Sequence, residues 1–165
     1  MTTSTLDNVR PLRLWPGVIL AAVQCLGWFV IPIVLPDQEI FGVLGAVAAA
    51  LGILIWWLFF SRARWSDRFG APVVMIVAVI LTSRLIHISI AGAGMGNLFY
   101  ILSVASMTFA LVLAAVLSRQ LSGQTRRLVM AALIMVGCGV WVLVRTDGII
   151  GAGGFQLAWR WSAVD

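Results

Sequence analysis

Arg84 and His87 are the side chains best suited to chemistry, because both are ionisable and lie well inside an apolar stretch. Three residues apart on a helix, they would share one face, with Ser83 beside them. An arginine inside a bilayer costs about 2.5–3.5 kcal/mol to insert, and such residues mostly face a partner or a ligand. We therefore take Arg84, His87 and Ser83 as a candidate site that donates hydrogen bonds to a quinone carbonyl or a lipid headgroup.

A structural role for Arg84 is the alternative. In that case the guanidinium would tie its helix to a carboxylate of a neighbouring loop, and Asp37, Glu39 and Asp147 are the acids placed to accept it. Helical side chains tilt toward the N-terminus of their own helix, which hampers escape of this arginine to the nearer membrane surface. A partner for Arg84 is therefore expected in either case.

Other chemistry has little support in the sequence. It contains no pair of carboxylates, no nucleophile beside a base and no cluster of metal ligands, and His87 alone cannot supply a metal site. Cys25 and Cys138 lie in separate apolar stretches without metal-ligand spacing, so we expect two small buried core residues. We predict no catalytic residue and no metal in this chain, which leaves its status as an enzyme open.

The elements that must position these residues are five apolar stretches. The chain is 62% hydrophobic with a mean hydropathy of +1.07, and a helix of about 17–25 apolar residues crosses the hydrocarbon core of a bilayer. Backbone groups in lipid must bond within their own segment, so such stretches become helices. We predict an all-α integral membrane protein, one domain with a bundle of five transmembrane helices and an outer-side tail over 145–165. Gly148 and Gly151-Ala152-Gly153-Gly154 in this tail predict a flexible exit from the last helix. The predicted helices are Pro16–Leu35, Ile40–Phe60, Ala71–Ala91, Leu98–Leu117 and Leu128–Val144.

The arginines predict how the bundle is oriented. All eleven basic residues are arginine, and eight of them precede the first span or lie in the links between the second and third spans and between the fourth and fifth. Short loops rich in arginine stay on the cytoplasmic side. The N-terminus is therefore predicted inside and the C-terminus outside. The net charge of +5 then reflects orientation, so the lipid bilayer is the expected partner and nucleic acid is not.

Small residues in the second span predict close helix packing. Gly42, Ala46 and Ala50 recur every four residues, with Gly45 and Ala49 on a neighbouring ridge. This spacing lets two helix backbones approach each other closely in lipid. The stripe serves contacts either within the bundle or between two copies of the chain. We expect packing within the bundle, with a contact between two copies as the alternative.

Several short motifs, in order along the chain, resemble a known family. The motifs are Arg13-Leu14-Trp15-Pro16, Trp56-Trp57-Leu58-Phe59-Phe60-Ser61-Arg62, Thr82-Ser83-Arg84 with His87 and Ser89, Gly139-Val140-Trp141, Leu143-Val144-Arg145-Thr146 and Ala158-Trp159-Arg160-Trp161. With these motifs the chain resembles the N-terminal membrane region of bacterial proteins that continue into a β-propeller of the pyrroloquinoline quinone (PQQ) type.

The resemblance implies a bacterial inner-membrane domain that anchors and docks a periplasmic PQQ-like propeller, supplied in cis or in trans. A PQQ site, its calcium ligands and dehydrogenase chemistry would all lie in the propeller, beyond Asp165, so none is carried over to residues of this chain. The alternative is an electron-transfer domain that binds ubiquinone near Arg84 and His87. A small-molecule or lipid carrier is a third and weaker option.

Overall fold

The computed structural model describes residues 13–121, 123–150 and 154–162, without the side chains of residues 39, 94, 147–150 and 154–156. Within that part, five helices are long and apolar enough to cross a membrane, as predicted. A short helix, α4, separates the third and the fourth of them. The helices are α1 (Trp15–Val34), α2 (Ile40–Phe60), α3 (Trp65–Ser83), α4 (Ile88–Gly92), α5 (Leu98–Gln120) and α6 (Gly123–Val142).

Helix α5 is the centre of the bundle. It packs against α1, α2, α3 and α6, and 61% of its apolar window is buried, against 17–33% for the other four helices. Leu111, Ala114 and Ala115 on α5 are fully buried and belong to the same core as Ile53 of α2 and Ile134 of α6. The outward faces of the surrounding helices expose large apolar side chains, which is the pattern of a bundle that has lipid as its solvent.

Helices α1 and α2 cross at two glycines. A Cβ atom built on Gly42 would lie 2.6 Å from the carbonyl oxygen of Gly27, and one on Gly27 would lie 2.7 Å from the carbonyl oxygen of Gly42. The backbones therefore touch, and only glycine fits on either side. Helix α1 widens into a π-helical turn at Leu26–Val30, just before Pro32, whose missing N–H and bulky ring disturb the regular ladder.

The third and fifth helices begin earlier than hydropathy predicts. Helix α3 starts at Trp65 rather than Ala71, and α6 starts at Gly123 rather than Leu128. Their first turns carry Asp67 and Arg126, polar residues that a hydropathy window assigns to a loop. Helices extend past the hydrocarbon core wherever polar first-turn side chains find partners, so apolar length underestimates them.

The prediction of one continuous helix over Ala71–Ala91 is wrong. Helix α3 ends at Ser83, and the chain turns before α4 begins at Ile88. The residue before α4, His87, has an extended backbone, and its side chain accepts a hydrogen bond from the N–H of Ser89. This local cap competes with continued helix and starts a new one instead.

The segment after α6 is a β-hairpin, where an irregular tail was predicted. Strand β1 (Val144–Ile150) pairs antiparallel with β2 (Gly154–Trp159), with Val144 opposite Trp159 and an irregularity between Thr146 and Gly148. Residues 151–153, predicted as part of a flexible exit from the last helix, lie outside the described residues. The N–H of Arg160 donates to the carbonyl of Leu143 at 2.8 Å, which closes the hairpin against the end of α6.

Candidate functional site

Arg84 lies in the turn that follows α3, where its backbone N–H donates to the carbonyl of Leu81 at 3.3 Å. The residue is exposed. Within the described part of the chain no carboxylate pairs with Arg84: Asp37 does not, and the side chains of Glu39 and Asp147 lie outside that part. The ion pair expected for a structural arginine is therefore absent among the described side chains.

His87 is half-buried and acts as the cap of α4. Its Nδ1 lies 2.8 Å from Ser89 Oγ and accepts from the backbone N–H of Ser89 at 3.2 Å. Because Nδ1 accepts from a backbone N–H, it carries no proton, and the neutral ring has its proton on Nε2. The hydroxyl of Ser89 then donates to Nδ1.

The same serine connects α4 to the hairpin. Ser89 Oγ accepts the backbone N–H of Thr146 in β1 at 3.2 Å. A chain of hydrogen bonds thus runs from Thr146 through Ser89 to His87 and fixes the hairpin against the turn that follows α3.

Ser83, the third residue of the predicted site, is engaged elsewhere. Its hydroxyl donates to the carbonyl of Ile80 at 2.8 Å, one turn back in its own helix. In the parts of the chain that the structure describes, no hydrogen bond joins Ser83, Arg84 and His87 to one another. Arg84 and His87 do not share a helical face, so the site is a turn and not a stripe on one helix.

The hairpin carries an exposed aromatic pair. Trp159 and Trp161 stack with ring centroids 5.5 Å apart and an angle of 14° between the rings. The two residues are 53% and 69% exposed, and Leu157 on the same strand is 46% exposed. Trp159 ends β2 and Trp161 lies in the turn after it, and together the stacked, exposed indoles form an apolar surface of the kind found in binding interfaces.

A buried charge cluster holds the opposite end of the bundle. The carboxylate of Asp67, at the start of α3, accepts from Arg126 Nη2 at 2.5 Å and from Arg127 Nε at 2.7 Å, both at the start of α6. Its side chain is only 4% exposed. Sequence analysis missed this cluster. The available signal was that Asp67 is the one acid among the arginines at 62–68.

A buried amide joins α1 to α5. Gln24 is 2% exposed, and its Nε2 donates to the carbonyl of Ala105 at 2.6 Å and to Thr108 Oγ1 at 3.3 Å. Gln24 is not among the residues predicted from the sequence, because it is not ionisable. A lone amide in an apolar span is nevertheless a signal of helix association. These hydrogen bonds of Gln24 hold α1 against α5.

The small-residue stripe of α2 faces the bundle, with one exception. Gly42, Ala46, Ala49 and Ala50 are buried, and a Cβ on Gly27 of α1 would lie 3.3 Å from Ala46 Cβ. Gly45 is exposed, and a Cβ on it would meet nothing within 4 Å. Four of the five residues therefore contribute to packing inside one chain.

The two cysteines are free thiols, with Cys138 buried and Cys25 half-buried. Nowhere in the described ranges do three His, Cys, Asp or Glu side chains cluster as metal ligands would. No protein-family model, no curated protein and no solved structure matches the chain. The function is therefore argued from the geometry above.

Proposed function

We propose that this chain is an inner-membrane domain that anchors a periplasmic PQQ-like β-propeller module and docks it at the hairpin. The observation that carries the proposal is the hairpin itself, which follows the last long helix and exposes Trp159 and Trp161 as a stacked pair. The family resemblance supplies the identity of the module, and the hairpin supplies a surface on which it can sit.

The hairpin suits a β-rich partner. A two-stranded hairpin is marginally stable by itself, and this one is supported by the bonds of Ser89 to Thr146 and of Arg160 to Leu143. Its two strands form a sheet with no third strand among the described residues, so both edges offer backbone groups for pairing. Propeller blades are antiparallel sheets, and strand addition to a blade would use these edges.

The arginines support a periplasmic position for the hairpin. Seven of the described arginines lie at the end of the bundle that we call the basic end, and three lie at the hairpin end. The positive-inside rule then favours the basic end for the cytoplasm. The basic end holds Arg13, Arg62, Arg64, Arg68, Arg119, Arg126 and Arg127, and the hairpin end holds Arg84, Arg145 and Arg160.

The test begins with the DNA downstream of the codon for Asp165, where we expect a propeller reading frame. The encoded module, tagged and coexpressed, should copurify with the membrane domain in detergent. The double variant Trp159→Ala/Trp161→Ala should lose most of this copurification, because two stacked indoles typically act as an interface anchor. The matched control is Trp15→Ala/Trp65→Ala, which removes two exposed tryptophans, 79% and 71% exposed, from the basic end. Equal copurification of both double variants contradicts the docking function.

A second candidate function is quinone binding for electron transfer. It is favoured by one observation: with Nδ1 occupied by Ser89, the proton on His87 Nε2 is free to point at a ligand, near the exposed Arg84 in sequence. The purified domain should then bind a ubiquinone analogue, and Arg84→Leu and His87→Leu should each weaken binding by about 1–3 kcal/mol. Ser83→Ala is the control, since that hydroxyl is bound to Ile80. A titration without saturable binding to the folded wild-type domain excludes this function.

A further inference from the structure

A cleft of about 320 Å³ opens between α3 and α6 at the basic end. Its walls are apolar and include Val74, Ala131 and Ile134. Its mouth is polar and is formed by Ser66, Asp67 and Arg127. A narrow apolar slot beneath a charged mouth, on the lipid-facing side of a bundle, has the form of one lipid chain below one headgroup.

The mouth of the cleft carries excess positive charge. Asp67 is bound by two arginines, which leaves one positive charge uncompensated within the cluster. Arg127 is 51% exposed at its side chain and uses Nε on Asp67 and Nη2 on Ser66, while a guanidinium has five N–H donors in all.

We propose that this cleft binds one anionic phospholipid from the surrounding bilayer. Its phosphate would accept hydrogen bonds from Arg127 and Ser66, and one acyl chain would lie along Val74, Ala131 and Ile134. Charge selects the class of lipid: a headgroup with a net negative charge balances the cluster, whereas a zwitterionic one does not. This binding site is separate from the hairpin and does not depend on the docking function.

The test is a titration of the whole purified protein in detergent, followed by native mass spectrometry. Phosphatidylglycerol and phosphatidylcholine with identical acyl chains are the probes. Phosphatidylglycerol should bind about fivefold more tightly, since one basic residue near an anionic lipid contributes about 1 kcal/mol. Arg127→Gln should remove this preference. Arg119→Gln, an exposed arginine at the same end that does not line the cleft, should retain it.

A second variant tests the acyl slot without touching the ion pairs. Gly70 lines the cleft, and a Cβ on it would meet nothing within 4 Å, so we expect the side chain of Gly70→Leu to occupy the slot. It should weaken binding of both lipids. Gly45→Leu, in equally open space on α2, should change neither. The melting temperature of each variant reports on folding.

Three outcomes overturn the proposal. The first is equal affinity for the two lipids in the wild-type protein. The second is unchanged lipid binding in the folded Gly70→Leu variant. The third is displacement of phosphatidylglycerol by millimolar glycerol phosphate, because the cleft would then be a site for a soluble anion.

Discussion

The two ends of the bundle are held together in different ways. At the basic end, helices α3 and α6 are joined by charge, with Asp67 buried between Arg126 and Arg127. At the hairpin end, α3 stops at Ser83, and the chain is fixed by a histidine cap and by one serine hydroxyl that reaches a strand. These contacts are ion pairs at the first end and neutral hydrogen bonds at the second.

The difference follows from what each end does with its backbone. At the basic end α3 and α6 extend beyond their apolar stretches, so most of their backbone groups are satisfied within the helices and their side chains are free to pair. At the hairpin end the backbone leaves the helix, and each turn needs a local partner such as His87 for Ser89. The basic end thus joins its helices through side chains, while the hairpin end presents strand edges and exposed indoles.

Loss of Asp67 should have the largest effect on stability. Asp67→Asn leaves Arg126, whose side chain is 13% exposed, without its counter-charge, and breaking a buried ion pair typically costs about 3 kcal/mol. Much of that cost arises from Arg126, because Arg127 is half-exposed. The free energy of unfolding in mixed detergent micelles measures it. Asp37→Asn, an exposed acid at the hairpin end, is the control. If Asp67→Asn and Asp37→Asn lower the free energy of unfolding equally, the ion pairs do not stabilise the basic end.

A methyl group on Gly42 should have the next largest effect. Gly42→Ala places a Cβ 2.6 Å from the carbonyl oxygen of Gly27, so α1 and α2 must separate, at a cost of about 2 kcal/mol. Gly45→Ala, three residues away in open space, should stabilise the helix by about 0.5–1 kcal/mol instead. In detergent, the Gly42→Ala and Gly45→Ala variants should shift the melting temperature in opposite directions. Shifts of the melting temperature in the same direction would mean that α1 and α2 are not closely packed at this crossing.

The tether of the hairpin should have a smaller and more local effect. Ser89→Ala removes the acceptor for the N–H of Thr146 and a donor to His87, which is worth about 1 kcal/mol. Hydrogen exchange of the β1 amides should speed up about fivefold, while the amides of α5 stay protected. Ser83→Ala, whose hydroxyl serves only its own helix, should leave β1 unchanged. Equal exchange in both variants would show that the hairpin is held by other contacts.

Sequence predicted the spans well and the ends of the spans poorly, for a physical reason. Apolar length reports burial in hydrocarbon, which is a property of each span alone, and all five spans have counterparts in the structure. The break at Ser83 depends on one histidine cap, and hydropathy averages over it. The pairing of Asp67 with Arg126 depends on which helices are neighbours, and spacing along one chain does not contain that information.

The hairpin has a recognisable pattern in the sequence. Two stretches with strand-favouring residues, Val144–Ile150 and Gly154–Trp159, flank a run of glycines, which is a typical hairpin pattern. In a chain dominated by apolar helices, the same glycines were interpreted as a flexible exit. A short polar segment after the last span therefore merits the same test for alternation as any soluble strand.

Cysteine labelling in intact cells tests most directly whether the hairpin end faces the periplasm, on which the anchoring function depends. In a Cys25→Ala/Cys138→Ala background, Gln38→Cys and Asn97→Cys at the hairpin end should react with a membrane-impermeant thiol reagent applied outside. Ser66→Cys and Gln124→Cys at the basic end should react only after lysis. All four positions are exposed. Reaction of Gln124→Cys in intact cells, with Asn97→Cys protected, would contradict the orientation and with it the docking of a periplasmic module.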